Sequence, residues 1–246
     1  MRLQIPAGPA GSYRLAQLDD YKMLPRRALL WQPPVRFQVR ARASAADIPG
    51  TWGFGLWNNP FGIGLFKGAD RLRLPALPQA AWFFIAAPEN YLSLHDELPG
   101  SGFLAATFSS RRPSVAQALG GMALLPFVMF RGAAGRLRQK AKQLVRQDSR
   151  QLRVDCTGWH TYQITWTAEL VIFSINGEQV LETQIIPGGP LGLVLWVDNQ
   201  YAAWTPTGQL SYGTLANPQP AWLELDELKV NGDEVELADL DRIGSA

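Results

Sequence analysis

Apolar and polar residues alternate along most of this chain in short runs separated by Gly, Pro and Asn. A period of two sends successive side chains to opposite faces of an extended strand, so each run predicts a strand buried on one face. The runs are 35–44, 51–57, 81–87, 91–94, 102–109, 160–167, 170–175, 178–185, 191–197 and 222–230. Between "LVIFSI" and "EQVLET" stands Asn176-Gly177, a pair that accepts the positive φ angles of a type I′ hairpin turn. Ten short strands with turns at this spacing predict an all-β sandwich.

One segment has a different period. In "GAAGRLRQKAKQLVRQDSRQL", 132–152, Leu137, Ala141, Leu144 and Val145 recur at i, i+4, i+7 and i+8, which predicts a helix over 136–148 with its Arg and Lys facing outward. The preceding "ALGGMALLPFVMF", 118–130, is apolar but interrupted by Gly120-Gly121 and Pro126. About 40 residues bury little core by themselves. The stretch 111–153 therefore reads as an insert, at one edge or across the mouth of a single domain spanning 1–246.

Charge sharpens this division. The insert holds ten of the chain's 23 basic residues and one of its 21 acidic residues, so an acidic body carries a basic segment. The basic helix, 131–153, reads as a solvated helix packing Leu137, Leu144 and Val145 onto the sandwich, with contact to an anionic surface or acidic partner as the alternative. Nucleic acid is not expected, because the rest of the surface is acidic and no recognised module appears. The lone Cys156 excludes an intramolecular disulfide. The first 22 residues lack an apolar signal core and no run supplies the roughly 20 apolar residues of a membrane helix, so a cytoplasmic protein is expected. No Cys/His set has zinc spacing, and no nucleophile elbow, P-loop or dinucleotide fingerprint is present.

Four stretches, in order, carry a family resemblance. They are "FQVRARASAADIPGTWGFGLWNNP" (37–60), "GWHTYQITWTAELVIFSINGEQV" (158–180), "GPLGLVLWVDN" (189–199) and "AWLELDELKV" (221–230). Together they resemble the family-16 glycoside hydrolases of the concanavalin A-like lectin/glucanase superfamily, over residues 35–110 and 155–231. The resemblance implies a two-sheet antiparallel jelly roll with a sugar-binding concave face. It also implies catalytic Glu, Asp and Glu alternating on the strand after the "G-x-W" stretch, here "AAWFFIAAPEN" (80–90). That strand has no acid before Glu89, which follows Pro88. A retaining glycosidase needs two carboxyl groups about 5–5.5 Å apart. The resemblance thus implies the scaffold without its hydrolytic machinery. In "LELDEL" (223–228), Glu224 and Asp226 share a face, but the resemblance makes this the closing strand. The same resemblance implies a structural calcium position at Asp226 and no other cofactor.

Two sets of residues remain as candidates for function. The first is an aromatic and amide group suited to sugar rings and hydroxyls: Trp57, Asn58 and Asn59, Trp82, and Trp196, Asp198, Asn199, Gln200, Tyr201 and Trp204. It predicts a non-catalytic binder of a carbohydrate or similar small polar ligand. The second is an enzyme on the same scaffold using Glu89, His95 and Asp96. In "HDE", 95–97, adjacent strand residues point to opposite faces, which favours a solvated loop, and His160 reads as a packing residue. The apolar run 118–130 is expected to dock toward Trp82–Ala86 and narrow the cleft, since burial contributes about 25 cal/mol per Å².

Overall fold

A computed structural model of the chain describes residues 1–21, 24–60, 76–111 and 131–235. Two antiparallel sheets face each other across an apolar core, as the alternation predicts. One sheet contains β1 (Arg2–Ile5), β3 (Val35–Ala43), β8 (His160–Trp166), β9 (Val171–Ile175), β10 (Glu178–Thr183), β14 (Ala221–Val230) and β15 (Asp233–Glu234). Its spatial order is β1-β14-β3-β8-β9-β10, with β15 also on β14. The other contains β2 (Leu15–Asp19), β4 (Thr51–Trp57), β5 (Ala80–Ala86), β6 (Gly102–Ser110), β7 (Val145–Gln151) and β11 (Gly192–Asp198). Its order is β2-β11-β4-β5-β6-β7. A separate hairpin joins β12 (Gln200–Trp204) to β13 (Leu210–Thr214). Asn176 and Gly177 have φ of 52° and 85°, as the predicted turn requires.

Every second residue of the central strands enters the core. Phe37 and Val39 on β3, Tyr162 and Ile164 on β8, and Phe173 on β9 meet Trp52, Phe54, Leu56 and Phe83 from the opposite sheet. Ring centroids of Phe54 and Tyr162 lie 5.0 Å apart, and Phe83 sits 5.2 Å from Tyr162 and 5.1 Å from Phe173. Each such side chain contributes about 1.5–3 kcal/mol through burial.

The basic segment departs from expectation. The helix α1 runs Arg131–Leu144 and stops there. Residues 145–151 instead form β7, the edge strand, paired with β6 from Leu104↔Gln151 to Ser110↔Val145. The alternation of Val145, Gln147 and Ser149 on one face was masked by the helical spacing of Leu137, Ala141 and Leu144. Nor do all the cations of α1 face outward. Arg138 is fully buried; its guanidinium donates to the Ser93 carbonyl at 3.0 Å and to Asp96, and it lies over the Tyr91 ring. Lys142 donates to the other oxygen of Asp96. The helix is thus anchored by its charges to 91–96, which is loop apart from a single bridge at Tyr91, not the strand expected over 91–94. The expectation for 118–130 falls outside the described residues. Among those described, no helix is long and apolar enough to cross a membrane.

Candidate functional site

The candidate site is the outer face of the six-stranded sheet, the side turned away from the core. With Trp52, Phe54 and Leu56 buried inward, β4 shows Thr51, Gly53, Gly55 and Trp57 outward. The registers place Trp196 of β11 on one side of Gly53 and Phe84 of β5 on the other, and set Gly55 between Val194 and Trp82. A Cβ at Gly53 would lie 2.7 Å from the Trp196 ring, and one at Gly55 would lie 2.7 Å from Trp82 Cβ. The two glycines therefore form a trough in which large rings lie against bare backbone. The centroid of Trp82 lies 5.7 Å from that of Trp57 and 5.6 Å from that of Trp196, giving three half-buried indoles in contact across three adjacent strands.

The two sides of this aromatic patch differ. Toward β6 and β7 it is apolar and closed: Phe84, Leu104, Ala106, Phe108 and Val145 are buried, with Leu92 and Leu94 packed against them. Toward β2 it is polar. Gln17 stands beside Trp196 and Asp19 beside Val194 in the register. A hydrogen-bond path connects them, because Trp57 donates to the Tyr21 hydroxyl at 2.7 Å, and Gln17 donates to that oxygen at 3.5 Å and to Asp19 at 2.8 Å. Strand β2 lies outside the predicted runs, because "LAQLD" is short and only Leu18 in it is fully buried.

Asp198 closes the upper end. Its carboxylate accepts from the Thr51 hydroxyl at 2.8 Å, from the Thr51 and Gln200 amides, and from the Tyr13 hydroxyl at 3.4 Å. The Trp196 indole donates to that same Thr51 oxygen at 2.8 Å, so Asp198 orients Trp196 through one hydroxyl. Burial outweighs these bonds and pushes the Asp198 carboxyl up to about 6. Asp20, buried in the sheet and accepting from Trp31 and the Leu193 amide, is raised to about 6 by the same cause.

Asn199 is wholly buried; its side chain accepts from the Arg14 amide and donates to the Ser12 and Leu215 carbonyls. Asn58 donates to Leu77 and accepts from Gln79, stapling two loop segments. Both amides are structural staples, a correction to the expected sugar-facing role. Asn59 adopts a left-handed turn, φ 44°. Gln200, Tyr201 and Trp204 belong to the β12–β13 hairpin, where the Tyr201 ring lies over Gly213.

The outward residues of β5 are Ala80, Trp82, Phe84 and Ala86, where the resemblance implies carboxylates. Among the described residues, the acids on this face do not make a pair either. Asp19 sits beside Val194, four residues before Asp198 on β11, so the two positions stand about 13 Å apart, beyond glycosidase spacing. The alternative set is not assembled. Asp96 is held by Arg138 and Lys142, whose hydrogen bonds and charges keep its carboxyl below the usual range. His95 Nε2 contacts the Val145 carbonyl at 3.1 Å, and no hydrogen bond or ion pair among the described residues links Glu89 to either. His160 bridges the Asp155 carbonyl and Asn176, a turn contact.

Asp226, the implied calcium position, lies on the exposed side of β14. Its exposed carboxylate faces the Arg40 guanidinium at 3.2 Å, and no group of three or more His, Cys, Asp or Glu among the described residues is placed to hold a metal. Glu224 lies between Arg2 and Arg42, at 2.7 Å from each, confirming "LELDEL" as part of a structural strand.

No protein-family model matches the chain, and no curated protein does. Solved structures similar to it include a Bacillus licheniformis β-glucanase at 10% identity, covering 92% of this chain and 75% of that one, with a TM-score of 0.42. A GH16 protein of the Bacteroides ovatus mixed linkage glucan locus shares 10% identity over 93% and 80%, TM-score 0.45. A glycoside hydrolase family protein from Mycobacterium thermorestibile shares 11% over 92% and 75%, TM-score 0.42. At this distance the likeness concerns the layout of strands, and any chemistry has to be argued from this chain's own residues.

Proposed function

We propose that this protein is a non-catalytic binder on a glucanase-type sandwich, taking a carbohydrate or similar small amphipathic molecule on the outer face of its six-stranded sheet. One observation carries the reading: β5 presents Trp82 and Phe84 where hydrolysis would need an acid and a nucleophile. The same substitution brings three indoles into contact, their planes tilted by 41° and 50°, so that they offer apolar ring faces to a sugar. Gln17 and Asp19 at its β2 edge supply an amide and a carboxylate for hydroxyls. The apolar closure toward β6 favours an occupant of one or two rings over a long polysaccharide.

Titration with laminari- and cello-oligosaccharides, followed by tryptophan fluorescence, tests this. Binding is expected, with Trp196→Ala weakening it at least about tenfold, equivalent to 1.4 kcal/mol, and Trp222→Ala on the other sheet leaving it unchanged. In parallel, lichenan, laminarin and agarose should show no turnover. Turnover that disappears in Glu89→Gln would replace the reading with the enzymatic one.

A further inference from the structure

Strand β14 supplies a carboxylate for the two arginines of β3 that it faces, and then reverses its charge. Glu224 stands opposite Arg42 and Asp226 opposite Arg40, with ion pairs of 2.7 and 3.2 Å. The register then shifts between Asp226 and Lys229, with Glu227 in the left-handed region at φ 48°. Past this bulge the residue opposite Gln38 is Lys229. Arg36, the next outward residue of β3, meets the Asn231-Gly232 turn: its amide donates to Asn231 Oδ1 at 2.9 Å, and the Asn231 amide donates back to its carbonyl at 2.8 Å.

Arg36 and Lys229 line a cleft of about 450 Å³ with Gln38, Thr165, Asn231 and Gly232, and none of its described lining residues is acidic. The nearest acid in register is Glu234, opposite Lys229 on β15. Among the described residues neither Arg36 nor Lys229 forms an ion pair, whereas Arg2, Arg40, Arg42, Arg138 and Lys142 all do. One nitrogen of the Arg36 guanidinium donates to Gln163 Oε1 at 2.8 Å, and its Nε and Nη1 have no partners among the described residues. The wall is largely apolar, with Pro34 and Val35 among its residues, and carries positive charge from Arg36 and Lys229, on a scaffold held by the bulge and the turn. Its volume falls in the range of small-ligand sites, and a guanidinium and an ammonium on one wall match a tetrahedral oxyanion.

We propose that this cleft, on the outer face of the seven-stranded sheet, binds a small polar molecule carrying a sulfate or phosphate monoester, with Arg36 and Lys229 on the oxyanion. It lies on the opposite sheet from the aromatic patch and does not depend on the role assigned there.

Calorimetric titration of the full chain with glucose 6-sulfate, glucose 6-phosphate and unesterified glucose, at low salt, provides the test. Either ester should bind in preference to glucose at this cleft, and the tighter of the two identifies the source. Arg36→Gln and Lys229→Gln should each weaken ester binding at least about tenfold, the loss of one charge-assisted hydrogen bond. Arg2→Gln makes the same change in net charge on the same face and should leave affinity unchanged. The proposal is overturned if neither ester binds better than glucose, or if Arg2→Gln weakens binding as much as Arg36→Gln.

Discussion

The two outer faces of this sandwich solve the same problem in opposite ways. Each sheet must present one side away from the core, and each carries tryptophans there. On the seven-stranded sheet, Trp222 and Trp159 are stacked by cations: Arg2 lies 4.5 Å above Trp222, while Arg40 and Arg42 lie 4.7 and 4.9 Å from Trp159. Glu224 and Asp226 complete an ion-paired surface in which every partner reaches water. On the six-stranded sheet, Trp57, Trp82 and Trp196 pack on one another, and the carboxylate nearby, Asp198, is buried. The difference teaches where free energy is held. The first face gains little from each exposed ion pair; the second gains from the burial and close packing of its indoles.

That contrast is open to measurement, beginning with the largest effect. Trp82→Ala removes the ring at the centre of the patch and should cost about 4 kcal/mol in urea unfolding, in the range of large-to-small core changes. Trp222→Ala should cost about 1 kcal/mol, a cation–π contact near the surface. Equal losses would erase the distinction.

The next effect concerns pH. Asp198 and Asp20 have folded carboxyls raised from 3.8 to about 6, so between those values the folded state holds protons that the unfolded state has released. Stability contributed by these groups is greatest below about pH 4 and declines as pH rises to 6, by at most about 3 kcal/mol each at 1.36 kcal/mol per unit. Asp198→Asn should remove about half of that decline, as read from unfolding midpoints between pH 4 and 7. Glu224 on the other face acts with the opposite sign. Arg2 and Arg42 hold its carboxyl low, so its contribution is present at neutral pH and is lost on acidification. Glu224→Gln should therefore leave the decline between pH 4 and 6 intact.

A smaller cost is expected from Gly53→Ala, about 2 kcal/mol, since the new methyl overlaps the Trp196 ring and the adjoining backbone. It should also change tryptophan emission by displacing that ring. The smallest is Arg2→Ala, below about 1 kcal/mol and shrinking further in 1 M salt, where the Debye length is about 3 Å. Were Arg2→Ala to rival Gly53→Ala, the ion-paired face would be a structural pillar after all.

Much of this was open to reading in the chain itself. Alternation located β3, β4, β6, β8 and β11 within a residue or two, because each has a core on one side and the period of two is strict. Asn176-Gly177 fixed its hairpin through backbone sterics alone. The absence of acids along "WFFIAA" is a property of the residues, so the lack of a carboxylate pair on β5 followed before any coordinates. Trp57 and Trp196 stand out in the chain because each lies beside amide residues, in "GLWNNP" and "VLWVDNQ".

What only the tertiary structure decided are the properties that depend on partners distant in sequence. Val145–Gln151 has a helical spacing upstream and becomes a strand because β6 offers it a ladder. Arg138 looks like a solvated cation until Asp96 and the Ser93 carbonyl, more than 40 residues away, accept its donors and allow its burial. Asn58 and Asn199 share the residue type of a sugar-binding amide, and whether such an amide meets a ligand or the backbone is set by which carbonyls the fold brings within reach. Strand pattern is local, since the pleat repeats every two residues; the engagement of a polar side chain is not, since its donors and acceptors are supplied by whichever segment packs beside it.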